Sequence, residues 1–184
     1  MRGGAPRVRV CVVGPGALGC LHAAWLARAG VQVCLLDHRP DRARALAARG
    51  LVVEDGGSTW TARLPCAADP AELPPVDLLL FCVKTFQSAT AAAHAAPLVG
   101  PETILVRLQN GLADPAPLVD LASGARVVLG VSGHGAHTVS WGRIRHAGSG
   151  PTRLGPLIAS GRAAAEAAAA ALRPALPDIE VVHD

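Results

Sequence analysis

The sequence predicts an α/β fold: a doubly wound, mostly parallel β-sheet with helices on both faces. Short, nearly continuous apolar runs alternate with segments whose apolar residues recur at helical spacing, as expected for parallel strands buried on both faces. The first strand also leads through a glycine-rich turn directly into the first helix. A chain of 184 residues has the length of about one domain, so we assign residues 1–184 to a single domain.

Glycine and proline bound the elements of the first half of the chain. The first two helices end before Gly30 and Gly50, and Pro40 suits the first turn of the second helix. An Asp-Gly-Gly-Ser turn at 55–58 joins two strands in a hairpin. The predicted elements are a strand at 8–13, a helix at 17–29, a strand at 31–36, a helix at 40–49, and strands at 51–54 and 58–64, before a proline-rich connection at 65–75.

The second half continues the same alternation. Thr85 can cap an alanine-rich helix that Pro97 stops. The segment at 138–146 alternates only partly, which predicts one strand paired antiparallel with a neighbour. The predicted elements are a strand at 76–83, a helix at 85–96, a strand at 103–108, a short helix at 115–121, strands at 126–131, 138–146 and 153–157, a helix at 161–176 and a strand at 179–182.

The composition argues against several classes of protein. The formal net charge is only +3 and the basic residues are scattered, which speaks against a nucleic-acid surface. The longest apolar run, at 76–83, is far shorter than the ~20 residues that cross a membrane. No signal peptide is visible. Five cysteines without a Cys-x-x-Cys pair fit reduced thiols. We therefore expect a cytoplasmic protein with no membrane or nucleic-acid partner.

The histidines and tryptophans are interpreted as structural residues. His134 and His137 lie three positions apart, but no carboxylate or cysteine between residues 126 and 153 completes a metal site. No metal is therefore predicted. His22 and His94 fall on predicted helices and are interpreted as ordinary helix positions. Three tryptophans without an accompanying basic stripe are interpreted as packing residues: Trp25, Trp60 and Trp141.

A G-x-G-x-x-G motif follows the first strand and opens the first helix, which is the context that gives this motif its meaning. Its first glycine permits the tight turn, its second lets the backbone approach a pyrophosphate, and its third lets the helix pack close to the strand. The helix N-terminus then holds the anion. The alternative is a glycine-rich turn without a ligand. The predicted cofactor-binding residues of this turn are Gly14, Pro15, Gly16, Ala17, Leu18 and Gly19.

The end of the second strand carries the residues that bear on NAD against NADP. Asp37 lies 18 residues after Gly19, where an acid bonds the ribose 2′-hydroxyl and favours NAD. His38 and Arg39 follow it and can supply the cation that a 2′-phosphate requires. The sequence therefore points to both cofactors. Alternatively, Asp37 caps the helix that begins at Pro40.

Two further strand ends contribute polar residues to the same edge of the sheet, where ligands of doubly wound folds bind. Lys84, the only lysine in the chain, follows the strand at 76–83, and Asn110 follows the strand at 103–108. The lysine can place a positive charge beside a cofactor or an anionic substrate, and the amide can bond hydroxyl groups. The alternatives are an exposed strand-end lysine and an ordinary Asn-Gly turn.

Four segments add to the glycine turn. They are Val-Lys-Thr at 83–85, Gln-Asn-Gly at 109–111, Gly-Val-Ser-Gly-His-Gly-Ala at 130–136 and His-Ala-Gly-Ser-Gly-Pro-Thr-Arg-Leu-Gly at 146–155. In this combination and order the chain resembles the ketopantoate reductase (2-dehydropantoate 2-reductase) family, over nearly its whole length.

The resemblance implies a Rossmann-like nucleotide-binding domain of an oxidoreductase. It implies NADPH-dependent reduction of 2-dehydropantoate, a small 2-oxo acid, to pantoate in pantothenate biosynthesis. NADP(H) is the expected cofactor, and NAD(H) stays open because of Asp37. The glycine turn would hold the pyrophosphate, and His38 and Arg39 would lie near the 2′-phosphate. Lys84 would lie along the cofactor, Asn110 would contact cofactor and substrate, and Ala136 would line the nicotinamide side.

The family also has a second, helical domain that carries its general-acid lysine. No residue of this chain matches that lysine, so we expect it beyond residue 184, with the helical domain absent from this chain. The alternatives are a non-catalytic dinucleotide-binding module and a dehydrogenase of another 2-oxo acid, since a fold alone does not fix the substrate. The oligomeric state stays open, with a homodimer as one outcome.

Overall fold

The computed structural model describes residues 8–111 and 114–182. Within them the strands are, in chain order, β1 (Arg9–Val13), β2 (Gln32–Leu36), β3 (Leu51–Asp55), β4 (Ser58–Ala62), β5 (Cys66–Ala67), β6 (Leu78–Phe81), β7 (Ile104–Leu108), β8 (Val127–Ser132), β9 (Gly135–Ser140), β10 (Arg143–Gly148), β11 (Thr152–Pro156) and β12 (Ile179–Val181). The α-helices are α1 (Ala17–Arg28), α2 (Pro40–Arg49), α3 (Ser88–Ala95), α4 (Ala116–Val119) and α5 (Arg162–Leu172).

The main sheet has eight strands in the order β12-β11-β8-β7-β6-β1-β2-β5. All neighbours run parallel except β8 and β11, which pair antiparallel. Helices α1 and α5 pack on one face of this sheet, and α3 and α4 pack on the other. The predicted fold class, a mostly parallel sheet covered on both faces, is confirmed.

Burial on both faces explains the nearly continuous apolar strands. Every side chain of β6 is at most 1% exposed. Leu78 and Leu80 belong to the core under α1 and α5, whereas Leu79 and Phe81 belong to the core under α3 and α4. Because consecutive side chains point to opposite faces, each of the two cores demands an apolar residue at every second position.

A second sheet, of four strands in the order β4-β3-β10-β9, corrects one prediction. The segment at 138–146 is not one strand but two strands of a hairpin, β9 and β10. The chain reverses at Trp141 and Gly142, and the glycine takes a φ of 75°, a left-handed conformation that favours glycine. Strand β10 also pairs parallel with β3, about 90 residues earlier in the chain.

Other differences from the predicted elements are local. The proline-rich connection at 65–75 contains the two-residue strand β5, which forms the edge of the main sheet beside β2. The predicted helix at 85–96 begins and ends with single 3₁₀ turns, at Thr85–Gln87 and Ala96–Leu98, around α3. No α-helix among the described residues is long and apolar enough to cross a membrane.

Helix α1 lies between the two sheets. It contacts β1 and β2 of the main sheet and β3, β4, β9 and β10 of the second sheet. Leu21, Ala23, Ala24 and Leu26 are consequently 0% exposed, so the helix is buried almost all round. The position of α1 therefore depends on both sheets at once.

Leu80→Ala tests the core that joins the main sheet to α1. The side chain is 0% exposed. The substitution should therefore lower the free energy of unfolding by about 2–5 kcal/mol, through lost burial and the remaining cavity. Urea unfolding followed by circular dichroism measures this change. The control Val139→Ala, at a side chain that is 49% exposed, should cost about 0.5 kcal/mol or less. Equal losses in both variants would contradict this description of the core.

Candidate dinucleotide-binding site

A cleft of about 590 Å³ lies at the carboxyl ends of β1, β6 and β7. Doubly wound folds bind their ligands at this edge, where the strand order reverses. The cleft brings together residues that the sequence predicts from separate motifs. Those on its wall are Gly14, Gly16, Ala17, Leu18, His38, Lys84, Asn110 and Ala136. Four predicted residues do not line it: Pro15, Gly19, Asp37 and Arg39.

The three glycines of the motif differ in what surrounds them. Gly14 takes a φ of 90°, and a Cβ there would lie 2.4 Å from a methyl carbon of Val83. A Cβ on Gly19 would lie 2.2 Å from the carbonyl oxygen of Gly14, so only glycine lets α1 approach β1 this closely. Gly16, in contrast, faces open space on the cleft wall. These surroundings match the three roles expected for a pyrophosphate-binding turn.

The N-terminus of α1 opens onto the cleft beside this turn. Gly16 is the N-cap residue, and no side chain caps the helix there. The backbone N–H groups of the first turn, which carry no partner within a helix, therefore remain for an anion. Ala17 and Leu18, the first two residues of the helix, both lie on the wall.

Asp37 is held inside the protein rather than on the cleft wall. Its side chain is 0% exposed and accepts hydrogen bonds from Nε and Nη2 of Arg42, at 2.5 and 2.7 Å. The backbone N–H of Arg39 donates a third bond to it, at 3.1 Å. Arg42, which no sequence motif marks, also lines the cleft. The available signal was a basic residue in the first turn of the helix that follows Asp37.

The side chains of His38 and Arg39, which follow Asp37, lie in different places. His38 lines the cleft, with Nδ1 3.6 Å from the carboxylate of Asp37. The guanidinium of Arg39 is turned elsewhere: it pairs with Asp41 at 3.0 Å and lies 4.8 Å from the ring centroid of Trp141. The side chains that approach the predicted adenosine end of the cleft are therefore His38 and Arg42.

Lys84 and Asn110 lie on the wall near the ends of β6 and β7. Lys84 is exposed and begins a tight turn, in which its carbonyl oxygen accepts a bond from the backbone N–H of Gln87 at 2.8 Å. The amide of Asn110 bonds both backbone groups of Ser132, at 3.1 and 3.2 Å. Asn110 thereby ties the end of β7 to the end of β8. One amide N–H and one oxygen lone pair remain for a ligand.

Two of the segments that carry the family resemblance meet beside the cleft. A Cβ on Gly133 would lie 2.8 Å from the backbone of Gly150, and the backbone N–H of Gly133 donates to the carbonyl oxygen of Pro151 at 2.9 Å. Side chains cannot fit between the two loops. Their glycines therefore fix the start of β9, which carries Ala136 to the cleft wall.

An imidazole cluster forms the wall behind Ala136. The rings of His22, His134 and His146 gather around Trp25, with Trp25 centroids 4.9 Å from His134 and 5.0 Å from His146. Burial lowers the pKa of His22 to about 3 and also lowers the pKa of His134. Both rings are therefore neutral near pH 7. His22, interpreted as an ordinary helix position, is instead a core residue that is 1% exposed.

No group of three or more histidine, cysteine or acidic side chains could hold a metal ion within residues 8–111 and 114–182. His146 is already bonded on both ring nitrogens, to Asp55 at 2.9 Å and to the carbonyl oxygen of Gly148 at 2.7 Å. Trp25 contacts the imidazoles, Arg28 lies over Trp60, and Arg39 lies over Trp141, which is 46% exposed and therefore packs only in part.

A family model described as ketopantoate reductase PanE/ApbA matches residues 10–158, which contain every part of the cleft wall. The chain belongs to this family. The resemblance drawn from the sequence motifs is therefore confirmed. The assignment of individual residues to cofactor binding stays a prediction.

Curated relatives and solved structures agree with this membership. The chain is 36% identical over 149 residues to a 2-dehydropantoate 2-reductase of Halobacterium salinarum, which covers 80% of this chain and 49% of the relative. It is 30% identical over 154 residues to one from Vibrio cholerae, covering 84% of this chain and 49% of the relative. The chain thus spans about half the length of the curated relatives it matches.

Among solved structures, the 2-dehydropantoate 2-reductase of Geobacter metallireducens superimposes with a TM-score of 0.85 at 31% identity, over 95% of this chain and 58% of that one. A D-mandelate dehydrogenase solved with NADH and anilino(oxo)acetate reaches a TM-score of 0.86 at 22% identity, over 95% of this chain and 57% of that one. At that identity the second likeness shows the fold alone.

The neutral imidazole of His22 predicts acid sensitivity. Because its folded pKa lies near 3, below the ordinary value of 6.5, the unfolded chain binds the extra proton as the pH falls through this window. Stability should therefore fall from about pH 6.5 downward, by up to about 1.4 kcal/mol per pH unit from this residue. His22→Leu should lose about 2 kcal/mol less than the natural chain between pH 7 and pH 5.

Urea unfolding of each variant at both pH values measures this difference. The control His137→Leu removes an exposed imidazole on β9 and should keep the acid sensitivity of the natural chain. An unchanged acid loss in His22→Leu would contradict the neutral buried state of His22.

Proposed function

We propose that this chain forms the nucleotide-binding domain, residues 1–184, of a reductase that converts 2-dehydropantoate to pantoate with NADP(H). The observation that carries the proposal is the cleft itself. A glycine turn, an open helix N-terminus, a lysine and an asparagine converge on it in a chain of the ketopantoate reductase family. The curated relatives are named for this reaction.

The residues present fit a dinucleotide. The open space beside Gly16 and the uncapped first turn of α1 make a cradle for a pyrophosphate. Lys84 adds a positive charge on the same wall and offsets the charge of the phosphates or of an anionic substrate. The small side chain of Ala136 leaves room for a flat ring at the other end. When bound, the nicotinamide supplies the hydride, and the protein orients it.

Reduction of a ketone also needs a proton donor for the developing alkoxide. On the described cleft wall, His134 is a neutral imidazole because burial lowers its pKa, and His38 and Arg42 lie at the predicted adenosine end, away from the nicotinamide. Lys84 is expected to serve the cofactor. The relatives are about twice as long as the part of them that this chain covers. We therefore propose that the proton donor lies in the half of the reductase that this chain does not cover. Asn110 would help to hold the substrate beside the nicotinamide, with its amide already aligned by Ser132.

The preference for NADP(H) is supported by the charges near the end of β2. The carboxylate of Asp37 is neutralised by Arg42, and His38 lines the cleft.

The five cysteines form no disulfide, and three of them are buried, which supports a reducing compartment such as the cytoplasm.

A titration of the 184-residue chain with NADPH and with NADH, followed by nicotinamide fluorescence, tests cofactor binding. Saturable binding with NADPH tighter than NADH is the expected result. The same samples with 2-dehydropantoate added show whether the chain oxidises NADPH by itself. Binding without turnover fits a proton donor outside this chain, and it also fits the non-catalytic alternative. Adding the part of a relative that this chain does not cover, as a separate chain, distinguishes them, because turnover in the mixture supports the first. Binding of neither cofactor would contradict the proposal.

Gly16→Ala tests the position of the pyrophosphate. A Cβ there meets no protein atom within 4 Å, and the φ of −75° suits alanine, so unfolding should change by less than about 1 kcal/mol. The methyl group would stand where the pyrophosphate approaches the backbone. Affinity for both cofactors should fall roughly 10- to 100-fold, as expected for losing one or two charge-assisted hydrogen bonds.

The control for this variant is Gly100→Ala, at an exposed position before β7 and off the cleft wall, where a Cβ would make only an ordinary contact, 3.5 Å from Oγ1 of Thr103. It should leave both affinities unchanged. An unchanged affinity in Gly16→Ala would place the pyrophosphate elsewhere.

A further inference from the structure

Arg42 sits in the first turn of α2, outside every motif that marks the cofactor site in the sequence. It is nevertheless the basic side chain that joins the end of β2 to the cleft, because it lines the cleft and bonds Asp37 at the same time. We propose that Arg42 determines the choice between NADPH and NADH. It would do so by holding the Asp37 carboxylate away from the ribose and by presenting its own charge to the 2′-phosphate. This inference rests on the proposed dinucleotide site.

The burial and the hydrogen bonds of Asp37 prevent its carboxylate from selecting NAD. An acid at the end of β2 selects NAD when its oxygens are free to accept bonds from the ribose hydroxyl groups. Here both oxygens are bonded: Oδ1 to the backbone N–H of Arg39 and to Nη2 of Arg42, and Oδ2 to Nε of Arg42. The side chain is also 0% exposed. Asp37 cannot bind a ribose in the cleft while Arg42 holds it.

The geometry of Arg42 allows its guanidinium to bond Asp37 and a phosphate at the same time. A guanidinium has five N–H groups in a planar fork, and Asp37 accepts bonds from two of its nitrogens. The side chain is 21% exposed and reaches the cleft wall, so its outer edge can donate to a phosphate. The hydrogen bond to Asp37 raises the pKa of Arg42, which stays a cation. A phosphate in the cleft would thus meet the guanidinium of Arg42, which is the positive side of the Asp37–Arg42 ion pair.

The neighbouring cations are less suited to this role. The guanidinium of Arg39 is engaged by Asp41 and Trp141, and Arg39 does not line the cleft. His38 does line it, but its ring is 61% exposed and lacks the planar fork of N–H groups with which a guanidinium binds a phosphate. His38 can add to the phosphate site, whereas Arg42 is the side chain that hydrogen-bonds both carboxylate oxygens of Asp37.

The experiment compares the affinities of NADPH and NADH, which differ only in the 2′-phosphate, across matched variants of the 184-residue chain. Arg42→Ala frees the carboxylate and removes the guanidinium. NADPH affinity should then fall roughly 10- to 100-fold, while NADH affinity holds or rises. Arg44→Ala is the control, because it removes the same charge from an exposed position on α2 and should keep the natural ratio of affinities.

Arg42→Ala leaves a buried carboxylate without its partner, which is costly for stability. A second variant therefore keeps the test informative if Arg42→Ala does not fold. The double variant Asp37→Asn/Arg42→Ala removes both charges together. It should lose NADPH affinity to a similar extent and keep the NADH affinity of the natural chain, with a circular dichroism spectrum like that of the natural chain. Arg39→Ala completes the set and should change the ratio little.

The outcomes separate this inference from the function it rests on. A natural chain that binds neither cofactor overturns the proposed function and this inference with it. If the natural chain binds NADPH and both Arg42 variants keep its ratio of affinities, the proposed function stands. Arg42 is then only a structural partner of Asp37. Loss of NADPH preference in Arg39→Ala but not in the Arg42 variants would assign the phosphate to Arg39.

Discussion

The close approach of α1 to β1 is the constraint on which the rest of the site depends. A Cβ on Gly19 would lie 2.2 Å from the carbonyl oxygen of Gly14, and one on Gly14 would lie 2.4 Å from Val83. Glycine at position 19 lets the helix begin directly above the strand, and glycine at position 14 lets the turn pass close to the segment that follows β6. The open N–H groups of its first turn then point into the space between the strand ends. Moving the helix outward by the width of a methyl group would remove that cradle and loosen the core packed around α1.

Several polar side chains that the sequence marks as ligand contacts also bond the protein itself. Asn110 bridges to both backbone groups of Ser132, and Asp37 accepts three bonds from Arg39 and Arg42. Such bonds fix each side chain before any ligand arrives, which lowers the entropy lost on binding. They also reduce what each side chain can still offer. A site residue is therefore described by its remaining donors and acceptors, not by its type alone.

Local patterns were enough to predict most of the main sheet. Its strands are apolar on both faces because two separate cores press on them, and each helix begins or ends at a glycine or proline that acts on its own neighbours. The second sheet escaped prediction because β10 joins β3 across about 90 residues, a pairing that no short window of sequence contains. The partial alternation at 138–146 also masked the turn at Gly142. His22 escaped for a related reason: its neighbours His134 and His146 come from distant segments.

The same limit applies to the rule that links an acid after β2 to NAD. The rule describes a carboxylate whose oxygens are free, and the sequence alone shows only that the carboxylate exists. In this chain an arginine five positions later folds back from the first turn of α2 and takes both oxygens. The pair is neutral as a whole but presents its basic member to the cleft. The charge that a phosphate meets is thus set by a side-chain contact between strand and helix, so Asp37 and Arg42 have to be considered together.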